Sequence, residues 1–238
     1  MGDVGASSLQ LNKAITAGEG GLILTNDSPY YQRAAARSDL GYGRSGGISS
    51  TDTQDTYTTV GEGRRFNDLS AAIMRVQLGK LPTLAQSMVA AKRRLREGID
   101  LPDGVAYRQV VDPAGDLGAS LTLIFDSAAA AEAFLDAGTQ VVDRERWFMW
   151  HLEKSGQHIY YNCSNLVQKM DVLPGGFPWS LRENEPTGNG GGYHYEKGAC
   201  PVTDSLLSRS VAMVIPPDLT EVHEDAMVEA VNLAFSRM

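Results

Sequence analysis

The sequence predicts an α/β fold, and three observations lead to this prediction. The chain has 238 residues, the length of one large domain or two small ones. Its apolar fraction of 42% is ordinary for a globular protein. Apolar runs of strand length, such as 21–25 and 120–125, alternate with stretches that have a helical pattern.

Composition narrows the classes of protein to which the chain can belong. The net charge of −8 argues against a nucleic-acid-binding surface. No apolar run is long enough to span a membrane, and the N-terminus lacks the basic and apolar regions of a signal peptide. The two cysteines, Cys163 and Cys200, are too few for a disulfide framework or a metal site. We therefore expect a cytoplasmic protein without a metal, a nucleic-acid partner or a membrane anchor.

The stretch from Ser8 to Gly21 places one lysine, Lys13, between a strand-like run and a glycine-rich turn. Residues an odd number apart point to opposite faces of a strand. The chain must therefore leave its strand between Ser8 and Lys13 if both side chains are to surround one ligand. An amine held there can lose hydration and attack an aldehyde. A lone loop lysine is more often a solvated surface charge.

Two elements and a loop follow the lysine segment. Residues 21–25 are predicted to form a buried strand because they are a short apolar run. Ser28 as N-cap and Pro29 behind it predict a helix that runs through residues 30–37. Residues 41–62 are rich in Gly, Ser, Thr and Asp and predict a loop. Arg44 within it could contact a substrate anion, although solvent exposure is the commoner role.

An amphipathic helix is predicted after residue 68, capped by Asn67 or Asp68. Apolar residues recur there at the spacing of one helix face. They are Leu69, Ala72, Ile73 and Val76.

Pro82 is expected to break or kink this helix, so that a second helix covers about 83–96. Four cations lie in that second helix. They indicate an anion site or, more commonly, a solvated face with cations near the helix C-terminus. They are Lys92, Arg93, Arg94 and Arg96.

The remaining sequence predicts a small α+β domain. Strands are expected at 105–111, 120–125 and 211–215, and a C-terminal helix at 220–235. Ser127 is predicted to cap an alanine-rich helix that ends near Gly138. Cys200 is interpreted as a packed thiol, and packing is favoured for Trp147 and Trp150.

Three blocks resemble the DegT/DnrJ/StrS family of sugar aminotransferases, which are pyridoxal-phosphate enzymes. The first is Ser-x-x-x-x-Lys followed by Thr-x-Gly-Glu-Gly-Gly, within 8–21. The second is 61–78, where an arginine and the pairs Ala-Ala and Gln-Leu fit the family pattern. The third is 198–217, where Cys-Pro leads into a Leu-Leu-x-Arg helix and an apolar strand that ends in proline.

The resemblance implies roles for particular residues. Lys13 would form the Schiff base with pyridoxal 5′-phosphate, and Ser8 would contact the cofactor phosphate. The family asparagine that often reaches the phosphate of the neighbouring subunit is Gly63 here, which offers only a backbone N–H. Arg64 could substitute for it as a charge partner, because a guanidinium suits phosphate geometry.

Three further residues are candidate substrate contacts: Arg65, His151 and His194. The implied architecture is the C-terminal part of a fold-type-I aminotransferase. Residues 1–85 would be the remainder of the large cofactor-binding domain, and residues 86–238 the small C-terminal α+β domain.

The implied function is amination of a keto or aldehyde sugar, or a related biosynthetic intermediate, with glutamate or glutamine as donor. A lysine at position 13 argues against the family's dehydratase branch, where histidine replaces it. The family aspartate that pairs with the cofactor ring nitrogen has no counterpart in the chain. We therefore expect a second polypeptide to supply the N-terminal half of the fold, in a hetero- or homo-oligomer. The alternatives are a non-catalytic subunit that binds a full-length homologue, and a truncated homologue.

Overall fold

The computed structural model describes residues 2–42, 44–45, 48–49, 57–139, 149–179 and 194–238. The chain divides into two compact units, Met1–Ala85 and Gln86–Met238. The assignment of these units to the large and small domains of an aminotransferase stays a prediction. Within the described ranges, no helix is long and apolar enough to cross a membrane.

The first unit combines short antiparallel strand pairs with helices. Strand β1 pairs with β2 in a two-stranded sheet, in which Ser8 lies opposite Gly21. A second strand pair, β3 with β4, follows helix α1. In chain order the elements are β1 (Val4–Ser8), β2 (Gly21–Thr25), α1 (Ser28–Ser38), β3 (Arg44–Ser45), β4 (Ile48–Ser49) and the first part of α2 (Asp68–Gly98).

The sheet of β1 and β2 is largely exposed, so the prediction of a buried strand at 21–25 is correct in extent and wrong in burial. Ile23 is 58% exposed and Leu24 is 62% exposed. Side chains leave a strand on both faces, and two paired strands cannot cover each other's faces. Burial therefore depends on a further layer, which a strand pattern does not report.

The N-cap of helix α1 lies one residue before the predicted one. The Asp27 carboxylate, not the Ser28 hydroxyl, accepts a hydrogen bond of 3.0 Å from the Tyr30 N–H. Asp and Ser are both good N-caps, but the carboxylate also carries a negative charge, which the helix N-terminus favours.

Helix α2 is continuous through Pro82, so the predicted break into two helices is wrong. Proline removes one backbone hydrogen bond, but good helix formers flank it on both sides. Met88, Ala91 and Leu95 also bury the apolar face of the later part of the helix. Asn67 caps the helix, because its Oδ1 accepts 2.9 Å from the Ser70 N–H.

The second unit is built on an antiparallel four-stranded sheet in the order β5-β6-β8-β7. Strand β6 covers 120–125 as predicted, whereas β5 ends at Tyr107 and is shorter than the predicted 105–111. The elements are β5 (Val105–Tyr107), β6 (Ser120–Phe125), α3 (Ala128–Thr139), β7 (Met149–His151), α4 (Ser164–Val167), α5 (Pro201–Ser208), β8 (Ser210–Val214) and α6 (Glu221–Ser236).

Aromatic packing joins this sheet to helices α3 and α6. The ring of Phe134 lies 5.2 Å from that of Phe125 and 4.7 Å from that of Phe235, centroid to centroid. Phe125 and Phe134 are completely buried. Such tilted pairs add to the hydrophobic gain of burying three large rings.

A charged pair fixes the end of α2 to α6 within the second unit. Arg94 donates from Nη2 to Glu224 Oε1 at 2.7 Å and also pairs through Nε with the other oxygen. The Glu224 hydrogen bond raises the pKa of Arg94. Arg94 therefore has a structural partner and does not belong to a fully solvated face.

Two glycines allow the backbone to cross itself in the first unit. Gly41 has φ of +96°, and its N–H donates to the Ala36 carbonyl at 2.9 Å. A Cβ at Gly61 would overlap the backbone of Leu40 and Gly41. Only glycine at 61 permits this approach without a shift of the backbone.

We expect Gly61→Ala to destabilise the protein by about 2 kcal/mol, because the added methyl forces the two backbone segments apart. Urea unfolding measures the change. Gly79→Ala is the matched control, since open space surrounds Gly79 on α2 and alanine should stabilise the helix by about 0.5–1 kcal/mol. Equal effects of the two substitutions on the free energy of unfolding would contradict the close backbone approach at Gly61.

Candidate functional site

Lys13 lies on a loop between β1 and β2 that Leu9 anchors to the unit's core. Leu9 is 1% exposed and clusters with Ala17 and Met74. Its N–H donates to the Gly20 carbonyl at 2.9 Å, and its carbonyl accepts from the Ala17 N–H at 3.1 Å. These bonds close the base of the loop, so the residues between them project from a fixed frame.

The glycine-rich end of the loop has a defined shape. The Thr16 hydroxyl donates to the Leu9 carbonyl at 3.0 Å and accepts from the Gly18 N–H at 2.9 Å. Gly20 has φ of +132°, and a Cβ there would come within 2.5 Å of the Phe66 ring. The loop therefore needs glycine at this position for both its backbone and its packing.

Ser8 and Lys13 both present their side chains at the surface of this loop. Strand β1 ends at Ser8, so the chain leaves the strand before Lys13, as predicted. The Ser8 hydroxyl lies 3.2 Å from Gln10 Oε1 and 3.3 Å from the Gln10 N–H. In the part of the chain that the structure describes, the Lys13 ammonium has no ion-pair partner. The loop segment thus carries an exposed amine and an exposed hydroxyl, the two groups that the aldehyde and the phosphate of pyridoxal phosphate would require.

Gly63 lies in a segment that is fixed to the end of α1. Its N–H donates to the Asp39 carbonyl at 2.9 Å. This donor is therefore already used, which counts against a Gly63 contact with the cofactor phosphate. Gly63 has φ of +65°, and open space surrounds the position of a Cβ.

Arg64 and Arg65 each face a carboxylate. The Arg64 Nε lies 2.5 Å from Glu62 Oε2, and the same carboxylate pairs with Arg37. Arg65 pairs with Asp39, whose side chain is only 11% exposed. The two carboxylates, which sequence reasoning missed, hold the loop from Val60 to Arg65 beside the end of α1.

The candidate histidines of the second unit lie in different environments. His151 ends strand β7 opposite Val211 and is 2% exposed. Neither ring nitrogen of His151 has a hydrogen-bond partner among the described residues. His194 is exposed, and its Nδ1 lies 3.6 Å from Glu196 Oε2. His194 is thus the accessible one of the two.

The second unit also contains a polar cluster that the sequence did not indicate. The Tyr160 hydroxyl donates to Asp204 Oδ1 at 2.9 Å and accepts from the Cys200 N–H at 3.1 Å. The Gly198 N–H donates to the other Asp204 oxygen at 2.7 Å. Burial, aided by the Asp204 carboxylate, raises the pKa of Tyr160.

A second part of this cluster is centred on Glu153. Its carboxylate pairs with Lys197 and accepts from the Tyr161 hydroxyl at 3.3 Å. The Lys197 hydrogen bond holds the pKa of Glu153 below its usual value. The cluster ties residues 153–161 to residues 197–204.

Other predictions for this region have mixed outcomes. Cys200 is exposed, so the packed-thiol prediction is wrong, because Cys200 caps the short helix α5 at the surface. Trp150 is half-buried in β7, whereas Trp147 and the Arg44 side chain lie outside the described residues. Among the described residues, no His, Cys, Asp and Glu side chains are grouped as a metal site.

Comparison with known proteins identifies the family. A model of the DegT/DnrJ/EryC1/StrS aminotransferase family matches residues 1–133, more than half of the chain. The chain belongs to this family. Pyridoxal 5′-phosphate is the cofactor of the family, which confirms the predicted cofactor class.

Solved structures show the same fold. The aminotransferase TlmJ from Streptoalloteichus hindustanus matches with a TM-score of 0.63 and 16% identity, over 98% of this chain and 52% of that one. S. venezuelae DesV, in complex with a ketimine intermediate, matches with a TM-score of 0.64 and 16% identity, over 100% and 53%. E. coli GDP-4-keto-6-deoxy-D-mannose-3-dehydratase, with bound hydrated PLP, matches with a TM-score of 0.64 and 14% identity, over 96% and 54%.

These matches confirm the predicted fold-type-I architecture. The chain spans about half the length of the solved structures it matches. Because the identities are low, the similarity establishes the fold and leaves the reaction and substrate of this family member as proposals.

The Glu153–Lys197 pair yields a pH-dependent prediction. Because Lys197 lowers the pKa of Glu153 below 4.5, the pair stabilises the fold above that pH and loses its contribution as pH falls through the lowered value. We expect Glu153→Gln to unfold at lower urea than wild type at pH 7, with the difference shrinking below about pH 4. Urea unfolding across this pH range measures both.

The exposed pair Lys154–Glu132 supplies the control. Its atoms lie 3.2 Å apart and both side chains are more than half exposed, so Glu132→Gln should change stability little. A Glu153→Gln deficit that stays constant from pH 7 to about pH 3 would contradict the assigned cause.

Proposed function

We propose that this chain is the lysine-bearing half of a pyridoxal-phosphate-dependent aminotransferase that acts in the cytoplasm. Its substrate is a keto or aldehyde sugar or a related biosynthetic intermediate, and glutamate or glutamine donates the amino group. The observation that carries the proposal is the Lys13 loop. In a member of this family, it presents from a core-anchored frame an amine that has no ion-pair partner among the described residues.

Two residues of the loop have direct roles in this proposal. Pyridoxal phosphate, when bound, supplies an aldehyde that condenses with an amine and a ring that accepts electrons. The Lys13 amine would be the covalent attachment point, and as a free amine it would move a proton at the reacting carbon of the substrate. The Ser8 hydroxyl, which now faces Gln10, would hold the cofactor phosphate by donating a hydrogen bond to it.

The remaining candidate residues would bind and orient the cofactor phosphate or the substrate. Arg64 is exposed and pairs with the surface carboxylate of Glu62. It is therefore the better placed of the two loop arginines to meet a phosphate or substrate anion. His194 is exposed and can contact a substrate. His151 is buried in the sheet, so a substrate could not reach it without a shift of the surrounding residues.

A second polypeptide completing the fold is part of the proposal. The apolar face predicted on the first half of α2 is exposed, including Leu69 and Val76, and so are Ile23 and Leu24 of β2. Large apolar side chains left exposed in such numbers favour a place where other protein packs. The same exposure supports the second candidate function, a non-catalytic subunit that binds a full-length homologue through this surface.

We expect the chain to show an absorbance band at about 400–430 nm with pyridoxal phosphate, alone or co-expressed with neighbouring reading frames. Lys13→Ala should abolish the band. Borohydride reduction followed by peptide mass spectrometry should place the cofactor on Lys13. Lys80→Ala, on exposed α2, controls for adducts with surface lysines.

Each outcome of this experiment is decisive. A band that appears only with a partner chain supports the split enzyme. A folded, oligomeric protein that shows no band in either preparation refutes the catalytic proposal and favours the interaction subunit.

Ser8→Ala tests the phosphate contact separately. Loss of one hydrogen bond to a charged group should weaken cofactor binding about tenfold in a titration followed by absorbance. Ser7→Ala is the matched control, because neighbouring residues of a strand point to opposite faces. Equal affinities of both variants and wild type would remove Ser8 from the phosphate site.

A further inference from the structure

A cleft with an excess of positive charge lies wholly within the second unit. It encloses about 730 Å³ between the last turns of α2 and the chain from Tyr107 to Gly118. Four cations line it against two carboxylates, Glu97 and Asp116, so the lining carries two positive charges in excess. The whole chain, by contrast, has a net charge of −8.

The walls of the cleft are held in place by contacts that involve its charged residues. Lys92, which is 8% exposed, pairs with Asp116 at 2.5 Å. Asp116 accepts from the Gly118 N–H at 3.2 Å. A Cβ at Gly118 would come within 2.7 Å of the Met88 backbone, so this segment lies directly against α2. The Lys92 hydrogen bond lowers the pKa of Asp116, which therefore stays charged and neutralises Lys92.

Two guanidinium groups are left over after this pairing. Arg93 lies 3.9 Å from Glu97 on the same helix. Arg96 lies over the Tyr107 ring, 4.6 Å from its centroid, and Arg108 follows β5 on the opposite wall. In the described ranges neither Arg96 nor Arg108 forms an ion pair with a carboxylate.

A solvated helix face does not account for this arrangement. Cations near a helix C-terminus complement its dipole, which explains Arg93 and Arg96 on α2. The helix dipole does not explain Arg108, which follows strand β5 and lines the same cleft. A concave site lined by guanidinium groups of two elements is suited to an anion with several acceptor oxygens.

We propose that this cleft binds a phosphate dianion, either free or as the monoester of a small organic molecule. The two excess charges match the charge of about −2 that a phosphate monoester carries above its second pKa of about 6. Arg96 and Arg108 donate to the phosphate oxygens, and the apolar lining at Val89 and Val110 accommodates an organic group. The site does not depend on Lys13 and stands apart from the proposed function.

Isothermal titration of the full chain with inorganic phosphate and with phenyl phosphate tests this inference. Arg96→Gln and Arg108→Gln should each weaken binding about tenfold. Glu97→Gln should strengthen it a few-fold, because it removes a negative charge from the lining and releases Arg93. Tighter binding of phenyl phosphate identifies a monoester as the ligand, and equal binding identifies the free ion.

Three controls separate the site from general charge effects. Arg75→Gln changes the net charge equally on an exposed part of α2 and should leave binding unchanged. Phosphate affinity should rise between about pH 5.5 and 7.5 as the second proton leaves, while sulfate affinity stays flat. Lys13→Ala should retain phosphate binding, so failure of the aminotransferase proposal leaves this result intact.

Some results would overturn the inference. They are the absence of saturable binding up to about 10 mM phosphate and phenyl phosphate, or losses in Arg75→Gln that equal those in Arg96→Gln and Arg108→Gln. Arg96→Gln also loses the contact with the Tyr107 ring and could therefore misfold. Arg108→Gln leaves that contact in place, so it tests the site even if Arg96→Gln does not fold. Circular dichroism confirms that each variant is folded.

Discussion

The proposed chemistry of the first unit depends on the burial of one leucine. Leu9 carries both backbone bonds that close the Lys13 loop, and its side chain packs with Ala17 and Met74. Burying a leucine contributes about 2 kcal/mol, while ordering each loop residue costs about 1–2 kcal/mol. Leu9 alone cannot offset that cost, so the hydrogen bonds of Thr16 and the fit of Gly20 against Phe66 are needed as well.

Local patterns predicted the positions of elements well and their surroundings poorly. Strands β2 and β6 begin and end where their apolar runs do, because strand formation needs only such a run between turn residues. Whether a strand is buried depends on a layer elsewhere in the protein, and the prediction for β2 failed there. Pro82 failed for a related reason: packing of the later part of α2 outweighs the one hydrogen bond that proline removes.

The candidate site divides in the same way. Ser8 and Lys13 are close in sequence, so a motif could identify them. Arg65 and Asp39 are separated by 26 residues, and each looks alone like an ordinary surface charge. The α2 cations raised an anion site as one interpretation, but the sequence did not indicate Arg108, which joins them only after the chain has turned through β5. Long-range charge pairing follows from topology, which a single sequence does not report.

The cations of the first unit differ in how firmly a carboxylate holds them. Asp39 is mostly buried, so removing Arg65 would take a guanidinium away from a buried carboxylate, which is costly. Arg65 therefore serves first as a tether of its loop.

Arg64 and Glu62 form an exposed pair, whose separation costs at most about 1 kcal/mol. A phosphate offers a guanidinium two charge-assisted bonds and can compete for Arg64. Lys13 needs no such exchange, because no described carboxylate holds its amine. Lys13, whose proposed chemistry is the most demanding, therefore breaks no ion pair with a described residue when it reacts.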